Sequence, residues 1–154
     1  MITAAACLAM AIYHEGRSEP VDAQMAIAEV IVNRTQHPDF PSTVCGVVKE
    51  HRSPVSRPWA CQFSFYCDGK SDKPTDAKAW ATAQAVAKEA LSGATLGIGA
   101  THYHTKAVKP VWRHDLTPVG AIGEHIFYTD GKCLLALGCS PRPVARPEGK
   151  NNGN

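Results

Sequence analysis

The chain has 154 residues, of which 44% are hydrophobic and 19% are charged, values that fit one globular domain with a core. Its net charge is only +2, and its lysines and arginines form no run, so the composition does not favour nucleic-acid binding. The apolar stretch at residues 4–12 is too short to span a membrane. We expect a folded domain over residues 1–139 and a disordered tail rich in Pro, Gly and Asn over residues 140–154.

Helical patterns dominate the first two thirds of the sequence. Helices are predicted at residues 3–14, 21–36, 43–48 and 76–91. Pro20 suits the first turn of the second helix, Ser42 or Thr43 is expected to cap the third, and Thr75 or Asp76 the alanine-rich fourth.

Short β-like segments complete the pattern. Residues 61–66 alternate polar and aromatic side chains before an Asp-Gly turn signal, which predicts a short strand or hairpin. Two further β-like runs are predicted at residues 101–105 and 125–129. The fold class is therefore α+β, mainly α, in which a helical body and a small β lobe leave a cleft between them.

Two glutamates lie four residues apart where the first helix ends. Glu15 follows an almost uncharged helix, and Gly16, Ser18 and Pro20 interrupt the helical pattern before and after Glu19. An acid at the lip of a core is partly desolvated, which raises its pKa and suits it to donate a proton near neutral pH. The alternative is that both glutamates are simply solvated, with Glu19 favouring the dipole of the next helix.

Two histidines alternate around a tyrosine at residues 102–104. In a strand, His102 and His104 lie on one face, a geometry that can bind zinc if His14 or Glu15 adds a third ligand. No HExxH motif accompanies them, so the preferred interpretation is that one histidine lines a cleft and the other is structural or exposed.

Residues 62–66 alternate in the same way. Phe63 and Phe65 can pack inward while Gln62, Ser64 and Tyr66 face a cleft, although a plain amphipathic edge strand gives the same pattern.

Six cysteines are present without a CxxC pair, so disulfides are a better interpretation than a zinc knuckle. Cys61 and Cys67 bracket the predicted hairpin, and Cys133 and Cys139 bracket a short apolar run. Cys7, on the apolar first helix, could equally be a free buried thiol. We expect at least two disulfides, and the sequence alone does not choose among the fifteen pairings.

Taken together, the motifs resemble the cell-wall hydrolase family of the spore cortex-lytic enzymes SleB and CwlJ. The stretches that carry the resemblance are IYHEGRSEPVDAQMAIAEVIVNR, DFPSTVCGVV, CQFSFYCDGK, GATHYHTKAVKPVW and IGEHIFYTD. The resemblance implies a lysozyme-like fold, lytic transglycosylase activity on peptidoglycan, and Glu15 as the general acid. The family's pattern is close to E-A-R-G-E-P, whereas this chain has Glu15 followed by G-R-S and then Glu19 and Pro20, which keeps both carboxylates in register.

These observations lead to one site prediction. Glu15 is expected to protonate the oxygen between N-acetylmuramic acid and N-acetylglucosamine, with Glu19 as a second catalytic or supporting acid that pairs with Arg17 or a backbone amide. The predicted substrate-binding residues are Tyr13, Gln62, Ser64, Tyr66, His102, Tyr103 and His104. We expect no metal or other cofactor, peptidoglycan glycan strands as the partner, no nucleic acid, no membrane insertion, and a monomer.

Two alternatives stay open at this point. A zinc-dependent N-acetylmuramoyl-L-alanine amidase would use His102, His104 and a third ligand, and a non-catalytic glycan-binding module would not depend on Glu15.

Residues 1–3 carry no basic side chain, so we expect no signal peptide. The expected location is the cell wall or periplasm after synthesis in a host cytoplasm, as for a phage endolysin, or else the chain is a trimmed exported domain.

Overall fold

A computed structural model describes residues 2–52 and 58–132. The predicted tail, Cys133 and Cys139 lie outside these residues. The four helices are α1 (Ala4–Gly16), α2 (Val21–Thr35), α3 (Val44–Val48) and α4 (Ala77–Leu91). The three strands are β1 (His102–Thr105), β2 (Thr117–Ile122) and β3 (His125–Thr129). In the described part of the chain, no helix is both long and apolar enough to cross a membrane.

Side-chain caps fix where three helices begin. The hydroxyl of Thr3 accepts a hydrogen bond from the Ala6 amide at 3.1 Å, and that of Thr43 accepts one from Gly46 at 3.0 Å. The carboxylate of Asp76 accepts a hydrogen bond from the Ala79 amide at 3.0 Å. Each cap satisfies an amide that has no partner within the helix. Of the alternatives predicted for these caps, the structure has Thr43 rather than Ser42 and Asp76 rather than Thr75. The four predicted helices agree with the observed ones within two residues at each end.

The core lies where α1 and α2 pack against α4 and against each other. Leu8 and Ile12 from α1 and Ile27 and Ile31 from α2 are fully buried. The face of α4 that meets them carries small residues, including the fully buried Ala83 and Ala87. Small side chains let the helices approach closely, so α1 is packed against its neighbours along its length up to the last turn.

The β lobe is a three-stranded antiparallel sheet in the order β1-β3-β2. Every residue of the central strand β3 is buried. The sequence indicated β1 and β3 but not β2, which contains Pro118 and Gly120 and shifts register between them. Both residues are unfavourable in strands, so the alternating pattern that would have revealed β2 is broken.

The predicted strand or hairpin at residues 61–66 is wrong. Residues Ser64–Cys67 form a short 3₁₀ helix, and a disulfide joins Cys61 to Cys67 with their Cα atoms 5.8 Å apart. A single extended strand would separate the two cysteines by roughly 20 Å, which the bridge excludes, and the 3₁₀ helix occupies the place of the predicted hairpin. The inward packing of Phe63 and Phe65 is nevertheless correct, since both side chains are buried.

A second disulfide joins Cys7 in α1 to Cys45 in α3, across 38 positions of sequence. Cys7 is therefore not a free thiol. The two bridges among the described residues agree with the prediction of at least two disulfides.

Candidate active site

Glu15 lies in the last turn of α1, where the helix ends at Gly16. A Cβ atom on Gly16 would lie 2.9 Å from Cδ1 of Ile27, so any larger residue here would require the buried Ile27 side chain to shift. The rigid core thus delivers a half-buried carboxyl group to the surface between the helices and the β lobe.

The β lobe contacts this carboxyl group directly. The hydroxyl of Tyr103, on β1, donates a 2.9 Å hydrogen bond to Oε1 of Glu15, 88 positions earlier in the chain. Burial and the neighbouring Glu15 carboxyl raise the pKa of Tyr103 well above its usual value, so the phenol keeps its proton and remains the donor. Oε2 of Glu15 makes no hydrogen bond to any residue that the structure describes.

The pKa of Glu15 is raised above its usual value of 4.5, chiefly because burial disfavours the ionised form. The hydrogen bond from Tyr103 and the charges of His125, His14 and Arg34 act in the opposite direction and are outweighed. The carboxyl group thereby holds its proton at a higher pH than an exposed glutamate, as a general acid requires.

A cleft of about 410 Å³ opens above Glu15. Its remaining described lining combines aromatic rings with polar side chains: Arg34, Phe40, Gln62, Phe63, His102, Tyr103 and Trp112. Aromatic rings beside hydrogen-bonding groups suit a polar ligand with flat apolar faces, such as a sugar. Among the described residues that line the cleft, Glu15 is the only acid.

Arg34 forms part of this lining and was not predicted. It lies in the last turn of α2, is only 5% exposed, and donates from Nε to the Thr101 carbonyl at 2.8 Å. Its guanidinium carbon is 4.5 Å from the centre of the Phe40 ring, and Nη1 donates a long 3.5 Å hydrogen bond to Gln62. A charged residue on the buried side of a helix was the available signal, because such residues are rarely buried without a role.

Glu19 lies outside the cleft lining. Its Oε1 accepts hydrogen bonds from the Glu124 amide and from Nδ1 of His125, both at 2.7 Å. These bonds tie the start of α2 to the turn between β2 and β3. The expected backbone-amide partner is present, but the expected Arg17 partner is not, because Arg17 donates instead to the Tyr13 hydroxyl at 2.7 Å.

The two strand histidines have different environments. His102 lines the cleft, with Nδ1 2.9 Å from the hydroxyl of Thr101. Burial, followed by the charge of Arg34, lowers the pKa of His102 to about 4, so this ring is neutral at physiological pH.

His104 is buried and does not line the cleft, and both of its ring nitrogens have partners. Nδ1 lies 2.7 Å from the Thr105 carbonyl and Nε2 lies 2.8 Å from the Tyr128 hydroxyl. The group of described residues with spacing suited to a metal ion is His37, Asp39 and Asp130, which includes neither His102 nor His104. The geometry therefore does not support the predicted alternative of a zinc site at the strand histidines.

Three of the seven predicted substrate-binding residues line the cleft: Gln62, His102 and Tyr103. The other four, Tyr13, Ser64, Tyr66 and His104, are not part of its lining. Tyr13 is buried, and its hydroxyl accepts hydrogen bonds from the Thr75 and Asp76 amides, which makes it a structural link between α1 and α4. Ser64 and Tyr66 were expected to face the cleft because they alternate along a predicted strand. These residues form a 3₁₀ helix instead, so that alternation does not apply.

The chain belongs to the cell wall hydrolase family, whose model matches residues 18–128. The match begins three residues after Glu15, so the support for the role of Glu15 comes from the geometry of the site and not from this match.

The named relatives are spore cortex-lytic enzymes. The chain is 35% identical over 121 residues to that of Halalkalibacterium halodurans and 34% identical over 123 residues to that of Bacillus subtilis. Each match covers 78% of this chain but only 33% and 35% of the respective relative, so the chain spans about a third of their length.

Solved structures show the same fold. The catalytic domain of the germination-specific lytic transglycosylase SleB from Bacillus anthracis aligns with a TM-score of 0.64 and 29% identity, covering 82% of this chain and 93% of that one. The SleB catalytic domain of Bacillus cereus gives a TM-score of 0.61 at 29% identity, covering 79% and 86%. The predicted α+β, mainly helical, lysozyme-like fold is therefore confirmed.

Proposed function

We propose that this protein is a lytic transglycosylase that cleaves the β-1,4 bond between N-acetylmuramic acid and N-acetylglucosamine in peptidoglycan. The observation that carries the proposal is the Glu15 carboxyl group, which has a raised pKa, is held by Tyr103, and is the only acid among the described residues of the cleft lining. The cell wall hydrolase family, and a structural relative that is a germination-specific lytic transglycosylase, support the same reaction.

In the first step, Glu15 acts as the general acid. Tyr103 engages Oε1, which leaves Oε2 to carry the proton toward the glycosidic oxygen. As the proton is transferred, the bond from C1 of the muramic acid to this oxygen breaks and an oxocarbenium-like transition state develops. The N-acetylglucosamine departs with a new hydroxyl group, and Glu15 becomes a carboxylate.

In the second step, Glu15 acts as the base. Its carboxylate takes the proton of the muramic acid's own 6-hydroxyl, whose oxygen forms a bond to C1 and closes a 1,6-anhydro ring. No water is consumed, and the enzyme regains its proton. Most glycosidases that hydrolyse such a bond use a second carboxylate as nucleophile or base, and the described cleft lining offers none.

Arg34 and Tyr103 have positioning roles in this mechanism. The guanidinium group of Arg34 and the phenol of Tyr103 both stabilise the carboxylate that Glu15 becomes after it donates its proton. Phe40 and Trp112 provide ring faces on which the sugars can pack. Glu19 is assigned a structural role because its carboxylate is engaged by Glu124 and His125.

The proposed place of action is the cell wall, in accordance with the family description. Release by a phage stays a prediction, as do the monomeric state, the absence of nucleic-acid and membrane partners, and the domain limits at residues 1–139 and 140–154.

The proposal is tested by comparing Glu15→Gln with Glu89→Gln, a matched change on the exposed surface of α4. Purified peptidoglycan is the substrate, and release of soluble fragments is the readout. Glu15→Gln is expected to lose activity by about 10²- to 10⁴-fold, the range for a general acid, while Glu89→Gln retains it. Full activity of Glu15→Gln would refute the assignment.

The same assay separates the proposal from the amidase alternative. Activity is expected to survive treatment with EDTA followed by dialysis, because Glu15 supplies both proton transfers. If chelation abolished fragment release and zinc restored it, the metal-dependent amidase would replace the lytic transglycosylase as the preferred function.

A further inference from the structure

A second cavity, of about 270 Å³, adjoins the cleft. The two share Gln62, which lines both. The other residues that line the second cavity are Glu50, His51, Arg52, Trp59, Ala60 and Cys61. Gln62 therefore lies between the two cavities, so a substituent of a ligand in the cleft has the second cavity next to it.

Backbone pairing builds the walls of the cavity. His51 and Cys61 form an isolated antiparallel bridge, the Arg52 amide donates to the Ala60 carbonyl at 2.7 Å, and the Gln62 amide donates to the Glu50 carbonyl at 3.0 Å. The disulfide from Cys61 to Cys67 anchors the second of these paired segments. The lining residues are thus held in register with one another.

The cavity presents opposite charges. Oε1 of Glu50 is buried from solvent and has no hydrogen-bond partner among the described residues, although the charge of Arg34 lies nearby. A buried carboxylate oxygen without a donor is unfavourable, and an N–H group of a ligand would relieve that cost. Arg52 is exposed and forms no ion pair with any described residue, so its guanidinium group is available to an anionic ligand.

An aromatic side chain completes the cavity. Trp59 is 74% exposed, which is unusual for a residue of this size. An exposed indole beside a carboxylate and a guanidinium group can pack against the apolar part of a ligand whose ends are charged.

We propose that this second cavity binds the peptide stem of the substrate. The inference rests on the proposed function, since the stem is attached to the muramic acid whose glycosidic bond Glu15 would cleave. A stem offers amide N–H groups and an ammonium group to Glu50 and carboxylates to Arg52, together with aliphatic side chains for Trp59. The cavity thus makes the enzyme selective for glycan strands that carry peptides over bare strands.

The test compares two substrates: intact peptidoglycan strands, and the same strands after an amidase has removed their stems. The measured quantity is the ratio of the two cleavage rates for the wild type, Arg52→Gln, Glu50→Gln and Trp59→Ala. Lys88→Gln, on the exposed surface of α4, is the matched control. Melting temperatures identify any variant whose fold is altered.

The wild type and Lys88→Gln are expected to favour the stem-bearing strands by roughly tenfold or more, the effect of one charge-assisted hydrogen bond, and Arg52→Gln to lose most of this preference. Equal rates on both substrates in the wild type, or an unchanged ratio in all three cavity variants, would overturn the peptide subsite and leave the proposed reaction intact. Cleavage of neither substrate would overturn the proposed function, and this inference with it.

Discussion

The hydroxyl of Tyr103 donates a 2.9 Å hydrogen bond to Oε1 of Glu15, which joins the β lobe directly to the candidate acid. It fixes one carboxyl oxygen and leaves the other for the substrate. It also lowers the pKa of Glu15 and so limits the rise that burial causes. Tyr103, which lies on β1, therefore influences both the position and the pKa of Glu15, which lies on α1.

Tyr103→Phe removes this bond without changing the ring. We expect the rate of peptidoglycan cleavage to fall by roughly tenfold, because a hydrogen bond to a charged group contributes about 1.5–3 kcal/mol. The pKa of Glu15 should rise, since the bond lowers it, so the alkaline limb of the pH–rate profile should move to higher pH. A reduced rate with an unmoved profile would indicate a structural role for Tyr103 and contradict the positioning role.

The raised pKa of Glu15 also predicts how stability depends on pH. The folded protein binds this proton more tightly than the unfolded chain, so the stability it contributes is fully present below the unfolded pKa of about 4.5 and is lost as pH rises through the folded pKa. Glu15→Gln carries no charge and escapes the loss.

Urea unfolding should therefore give similar midpoint urea concentrations for the wild type and Glu15→Gln at about pH 4. Toward neutral pH, the variant should become the more stable of the two. Glu89→Gln, at an exposed site, provides the control. A difference in stability that does not change with pH would show that burial does not perturb Glu15.

Glu19 should affect stability more than chemistry. Glu19→Gln keeps an oxygen acceptor for the Glu124 amide and His125 but loses its charge, which should cost about 1 kcal/mol of unfolding free energy. Glu19→Ala loses both bonds and should cost about 3 kcal/mol. Each variant should retain most of its activity at temperatures where it is folded. Loss of activity in Glu19→Gln with unchanged stability would assign Glu19 to catalysis.

Much of the fold could be predicted because the signals are local. Caps such as Thr43 and Asp76 and the apolar spacing of α1 and α2 depend on neighbouring residues alone. The strand β2 was missed because Pro118 and Gly120 break its alternation, and the 3₁₀ turn after Phe63 was missed because the alternation of residues 61–66 satisfies a strand pattern equally well.

The site was predictable only in part. Glu15 was identified because it ends an uncharged helix, a local feature. The contacts of Arg34 with Thr101 and of His104 with Tyr128 join residues that are far apart in the sequence, and no spacing rule predicts such pairs.

Glu29 is a further residue whose contacts could not be predicted from its neighbours in the sequence. Its buried carboxylate accepts hydrogen bonds from four consecutive amides at residues 96–99, and so shapes the loop that leads to β1.

The central claim is that Glu15 performs both proton transfers and that the muramic acid's 6-hydroxyl, not water, captures C1. The most direct measurement is mass spectrometry of the muramic ends released from purified peptidoglycan by the wild type, with Glu15→Gln as the control. We predict 1,6-anhydromuramic ends, lighter than hydrolysed ends by one water, and almost no new ends from the variant. Reducing muramic ends without the anhydro form would contradict the claim and identify the reaction as hydrolysis.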